Sequence, residues 1–228
     1  MATDTSFGKV REFYDFNEGI IDVTVMGWSI DSDAGGTCFA IKEEENGVIT
    51  GYVDGTDGDL TNLFSHQIWE ANDGGPLVLE VRAKTITSVA DGETFIGWTD
   101  QDDADENPLL VSTADVLTSA ATDAVGFMYT GAGTANWKFA GSKNGADTAV
   151  STANTGGATT PVVGTYQTFR IVLDILGNAD FFINGVYQGH IDSCVTAGTQ
   201  LGFGCCVQAG GTARSLDIDY IYMEKGRA

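Results

Sequence analysis

The chain has 228 residues, with 32 Asp and Glu against 11 Lys and Arg, for a formal net charge of −21. A surface this acidic repels phosphate backbones and anionic headgroups, which excludes nucleic acid and lipid as direct partners on charge. With 30 glycines, 3 prolines and 43% hydrophobic residues, the composition fits one all-β domain with glycine-built turns, and no apolar run approaches the ~18 residues of a membrane span.

The opening MATDTSFGKVREF has no basic segment leading into an apolar one, so no secretory signal is expected. Ala2–Lys9 read as a short polar arm, 10–224 as a single sandwich and 225–228 as a tail. Short apolar-alternating runs then follow: Val10–Phe16, Ile20–Met26, Thr37–Ile41, Val48–Val53, Leu63–Trp69, Leu77–Lys84, Thr94–Trp98, Ala124–Tyr129 and Asn136–Ala140. Gly and Asx turn signals separate them (DSDAGG, DGTDGD, NDGG, TGAG, SKNG). One helical turn is expected over Val111–Leu117, capped by Ser112 or Thr113. A low-complexity polar loop covers 145–161.

The most telling stretch is Tyr166–Ile191, where two turn signals, Gly177-Asn178 and Asn184-Gly185, join three alternating runs. Phe169, Ile171, Leu173 and Ile175 share one face, continued by Phe181 and Ile183. This is an antiparallel meander whose apolar face needs a second sheet to cover it. Gln200–Gln208 and Leu216–Met223 close the chain. In the latter, alternation puts Leu216, Ile218, Tyr220 and Tyr222 inward.

Four cysteines form no framework: Cys38 and Cys194 stand apart, and the adjacent Cys205 and Cys206 point to opposite faces of one strand. Without a C-x-x-C pair, and with only His66 and His190 available, zinc is not expected. Free buried thiols suit folding in a reducing cytoplasm.

The final run SLDIDYIYM, placed after the meander, resembles the last strand of concanavalin A-like domains, the jelly-roll sandwiches of lectins, laminin-G modules and laminarinase-type glucanases. LVLEVRAK (77–84) is similar to the strand that precedes the catalytic strand of the glucanases. The resemblance implies a two-sheet antiparallel jelly roll and leaves activity to be argued from the site. The GWTD run (97–100) and the NGV hairpin (184–186) resemble uncharacterised sandwich proteins of tailed bacteriophages.

A retaining glycosidase needs two carboxylates ~5 Å apart, and the related glucanases carry them on one strand as E-x-D-x-x-E. Here the corresponding strand reads TFIGWTD (94–100), with Phe95, Gly97 and Trp98 where acids belong, so no enzyme is expected. Asp100, Asp102, Asp103 and Asp105, followed by Glu106 and Asn107, form a set of hard oxygen ligands suited to calcium, the candidate cofactor. Asp54, Asp57 and Asp59 form a second set. For a glycan, Trp98 beside that acidic loop is the candidate exposed ring. His190 and Asp192 share a face but have no assignable nucleophile. The phage resemblance implies a virion protein, made in the host cytoplasm, that decorates a capsid. Its expected partners are the major capsid protein or neighbouring subunits, a further copy of itself, or a surface glycan.

Overall fold

The computed structural model describes residues 9–16, 28–32, 36–42, 47–87, 92–102, 106–112, 114–131, 136–157 and 159–226. The expected run Ile20–Met26 and the candidate ligands Asp103 and Asp105 lie outside these residues, as does the arm ahead of Lys9. The first strands are β1 (Lys9–Tyr14), β2 (Ser29–Ser32), β3 (Gly36–Lys42), β4 (Val48–Val53), β5 (Leu60–Phe64) and β6 (Leu77–Thr85). Then come β7 (Gly92–Thr99), β8 (Leu109–Val111), β9 (Leu117–Ser119), β10 (Ala124–Thr130), β11 (Lys138–Lys143) and β12 (Ala146–Asp147). The last are β13 (Ser151–Thr152), β14 (Gln167–Leu173), β15 (Ala179–Ile183), β16 (Val186–Ile191), β17 (Gly202–Ala209) and β18 (Arg214–Gly226). No helix occurs among the described residues.

The strands build two eight-stranded antiparallel sheets. The first runs β16-β15-β14-β6-β18-β4-β3, with β1 beside β18. The second runs β12-β11-β10-β7-β17-β5-β2, with β13 beside β11. A two-stranded ribbon, β8–β9, stands apart from both. The inner faces interdigitate in one aromatic-rich core: Phe139 stacks on Phe181 at 4.4 Å and Trp137 meets Phe169 edge-on at 4.6 Å. The Trp137 indole N–H donates to Gln167 Oε1 at 2.9 Å, so that ring is buried with its polar atom satisfied.

The meander forms one edge of the first sheet, with Phe169, Ile171, Leu173, Phe181 and Ile183 buried as expected and a register shift between Phe181 and Phe182 where β15 pairs with β16. Asn184 and Gly185 both take positive φ, 51° and 76°, as a two-residue hairpin of this twist requires. The other turn is built on Asp174, whose Oδ1 accepts the N–H groups of Leu176 (2.8 Å) and Asn178 (3.0 Å). Ile175 sits in this turn and is exposed rather than inward.

Two further expectations are corrected. Leu216 and Ile218 are buried, but the register of β18 against β6 slips between Ile218 and Tyr220. The inserted residue flips everything after it. Ile221 and Met223 therefore enter the core, and Tyr220 and Tyr222 turn outward. The helical turn over 111–117 is instead the tip of the β8–β9 ribbon. Ser112 does cap it, its Oγ accepting the N–H groups of Ala114 and Val116 at 3.2 Å each, but the turn it stabilises reverses a strand.

Candidate functional site

The strand β7 alternates Ile96 and Trp98 into the core with Glu93, Phe95, Gly97 and Thr99 on the outer face of the second sheet. Gly126, Gly97 and Gly204 lie side by side on β10, β7 and β17. The Phe95 ring lies against this glycine floor. A Cβ on Gly126, Gly97 or Gly204 would stand 2.5, 2.9 or 3.2 Å from the ring. Around Phe95 gathers a second apolar cluster, with Met128, Cys206 and Leu60 from the sheet and Leu109, Val111 and Leu117 from the ribbon. The ribbon is pinned at its tip, where Asp115 pairs with the fully buried Lys138. A cation so buried is tolerable only when paired, so this contact holds the ribbon over the sheet. The outer face is thereby closed by the chain's own hairpin.

At one end of this closed face an open cleft of about 420 Å³ remains, lined by Glu93, Asp57, Ser112, Thr130 and Gln208 among others. Burial holds the Glu93 carboxyl above the usual range, partly offset by the Arg214 guanidinium. Arg214 is itself buried beneath Gly92 and donates to Thr94 Oγ1 at 3.3 Å. Glu93 was missed because it reads as part of the ADGE turn, whereas the strand begins one residue earlier, at Gly92. Set against E-x-D-x-x-E, the strand offers Glu93, Phe95 and Trp98: one carboxyl, a ring filling the face, and a side chain in the core.

Trp98 is fully buried against Trp69, ring centroids 5.8 Å apart, so it offers no platform to a glycan; Trp28, Trp69 and Trp137 are buried too. Of the calcium set, Asp100 accepts the Asp123 N–H at 3.0 Å, and its carboxyl is pushed up by burial, opposed by that hydrogen bond and aided by the Asp123 charge. Asp102 is exposed. Asp123 in turn binds the Thr196 N–H and the Thr199 hydroxyl. These acids tie loops together, and the described residues hold no group of three His, Cys, Asp or Glu that suits a metal. Asp54 folds back on the Thr56 N–H at 2.8 Å, which lowers its pKa. His190 bridges Asp180 (2.8 Å) and Asp192 (3.1 Å), and these bonds raise its pKa as they would for any exposed ion pair. Cys194, Cys205 and Cys206 are buried free thiols, Cys205 in the inner core and Cys206 in the outer cluster.

Among the described residues, the outer face of the first sheet is exposed at Phe13, Arg170 and Tyr187 and buried at Val78 and Asp217. The slip in β18 delivers Tyr220 and Tyr222 to it, beside Phe13 of β1, which is 58% exposed, and Tyr187 of β16, 48% exposed. Ion pairs thread the rings: Lys9 and Arg11 with Glu224 at 2.7 and 2.6 Å, Arg82 with Asp219, and Lys84 with the buried Asp217 at 3.5 Å. Arg82 and Lys84 also sit over the Tyr166 ring, at 4.2 and 4.4 Å.

No family model and no curated protein sequence matches this chain. Its fold is shared with solved structures. A β-glucanase of Bacillus licheniformis superposes with a TM-score of 0.59 at 12% identity, covering 96% of this chain and 99% of the other. Peanut lectin gives 0.61 at 13% identity over 95% and 97%. A protein of unknown function from Shewanella oneidensis MR-1 gives 0.58 at 15% identity over 96% and 87%. The chain thus has the concanavalin A-like jelly-roll fold of lectins and glycoside hydrolases. At such identity the likeness defines the fold and leaves the activity to the site.

Proposed function

We propose that this chain is a non-enzymatic structural protein of a bacteriophage particle, a decoration protein bound to the head surface through the major capsid protein. The observation that supports a non-enzymatic role is the filled outer face of the second sheet. Where a glucanase of this fold presents acids to a polysaccharide, this chain has Phe95 on a glycine floor beneath its own ribbon. The particle assignment is supported by the resemblance of the GWTD and NGV runs and by a charge of −21. Such charge keeps a protein soluble at high local density and selects a docking surface by complementarity. The test is co-sedimentation of the purified chain with shells that lack it. Retention that weakens as salt rises is expected; no retention at any salt overturns the proposal.

A glycan-directed role is the competing reading, and the cleft that holds Glu93 and Asp57 is the observation in its favour. Incubation with β-glucans is expected to release no new reducing ends. Turnover abolished by Glu93→Gln would replace the structural role with a hydrolytic one.

A further inference from the structure

The open face of the first sheet carries a row of side chains that is complementary to itself. Register sets Phe13, Tyr222, Glu80, Arg170, Phe182 and Tyr187 side by side on β1, β18, β6, β14, β15 and β16. At the centre stand an acid and a base, and outward from each lie two aromatic rings. A two-fold contact needs a patch that matches its own rotated image. A row ordered ring, ring, acid, base, ring, ring meets that demand.

We propose that this face joins two copies of the chain, packed sheet to sheet about an axis that runs along the strands between β6 and β14. That rotation lays Glu80 of one protomer on Arg170 of the partner subunit, Tyr222 on the partner's Phe182 and Phe13 on the partner's Tyr187. In the adjacent row, the partner's Val172 lies over Val78, which is 8% exposed in the protomer. The same axis lays Glu224 on the partner's Asp180 and Arg11 on the partner's His190, and each acid is offset by its own bases, Glu224 by Lys9 and Arg11 and Asp180 by His190.

The balance of bases and acids on this face favours it for self-contact. Two bodies of net charge −21 repel. Five of the 11 Lys and Arg stand on this face: Lys9, Arg11, Arg82 and Lys84, each paired with an acid, and Arg170. Arg170 is exposed and has no ion pair among the described residues, and Glu80 accepts one bond, from the Tyr220 hydroxyl at 2.8 Å. Each has capacity for the partner's opposite charge. Two hollows flank the pair, one toward Phe13 and Tyr222 and one toward Phe182, and both are lined by Glu80 and Arg170. Six strands at ~4.8 Å spacing, each ~20 Å long, give a flat footprint of about 500 Å² before side-chain relief, approaching the ~800 Å² per partner of a standard interface.

The experiment is sedimentation equilibrium of the full chain across the micromolar range. A dimer mass is expected. Arg170→Glu sets acid against acid at the centre of the contact and should weaken the dimer at least about tenfold. Glu80→Arg should do the same with two bases. The double swap restores opposite charges across the axis and should restore the dimer. Tyr187→Ser, at the exposed end of the row, should also weaken it, and Val116→Glu, on the ribbon of the other sheet, should not. Melting curves identify any variant that fails to fold. A monomer at every concentration, a dimer indifferent to the single swaps, or a double swap that stays monomeric despite folding would each overturn the proposal.

Discussion

Phe95→Ala tests whether the outer face of the second sheet is closed as a true core. Phe95 has no exposed surface, and its ring lies between the glycine floor and the β8–β9 ribbon. A phenyl side chain that buries ~150–200 Å² at ~25 cal/mol per Å² contributes about 4–5 kcal/mol, within the ~3–5 kcal/mol typical of buried Phe-to-Ala changes. Floor residues without side chains cannot collapse into the gap, so the loss should fall at the upper end. Against a domain stability of about 5–15 kcal/mol this is a third or more of the total. Urea titration measures it. A second readout is local: Cys206 is the cross-strand neighbour of Phe95 on the same face, while Cys205 points into the inner core. In the native wild type Cys194, Cys205 and Cys206 should resist a thiol reagent, because burial raises all three pKa values and shields the sulfurs. In Phe95→Ala one thiol should react before global unfolding. A destabilisation below ~1 kcal/mol, or no change in thiol reactivity, would refute the closed face and reopen the groove as a binding site.

The inner core was legible because alternation needs no tertiary information. Phe169, Ile171, Leu173, Phe181 and Ile183 were placed by period alone, and the Asn184-Gly185 turn by its tolerance of positive φ. The open face was not, because it depends on one inserted residue. Alternation carried Tyr220 and Tyr222 inward, yet the apolar set of LDIDYIYM changes parity after Ile218, from 216 and 218 to 221 and 223. That change was the available sign of the bulge. The closed face was illegible for another reason. Its cover comes from residues 109–119, whose turn chemistry at Ser112 serves a helix start and a strand reversal equally. Trp98 was judged by its neighbours in sequence, the acids of 100–105, whereas the pleat sends it to the other side of the sheet from Phe95.

Three further substitutions probe the same surfaces. In Gly97→Ala the new Cβ would stand 2.2 Å from Val125 O and 2.6 Å from Gly126 Cα, backbone that cannot swing aside. A loss of several kcal/mol or failure to fold is expected in urea titration, and a near-neutral effect would contradict the glycine floor. Glu224 is opposed by burial, but hydrogen bonds from Lys9, Tyr222 and Arg11 hold its pKa down, from 4.5 to about 2. A depressed carboxyl stabilises the fold above its unfolded value and loses that contribution as pH falls through the folded one. Glu224→Gln should therefore be less stable than wild type near neutrality, by up to about 1 kcal/mol, and equal to it at pH ~2. Glu93 has the opposite sign. Burial raises its pKa above the ordinary 4.5 despite the attraction of Arg214, so its stabilising share is complete in acid and is lost as pH rises through the folded value. At neutral pH the folded chain holds a carboxylate it would rather protonate, at a cost of about 1.4 kcal/mol for each pKa unit of elevation. Glu93→Gln keeps the shape and removes the charge. Its melting temperature should exceed that of wild type at neutral pH, and the two should converge below pH ~4. A variant less stable at neutral pH would mean that the pairing with buried Arg214 outweighs desolvation, making Glu93 a structural counter-ion. A variant more stable at neutral pH shows that desolvation of Glu93 outweighs its attraction to Arg214, as the raised pKa implies.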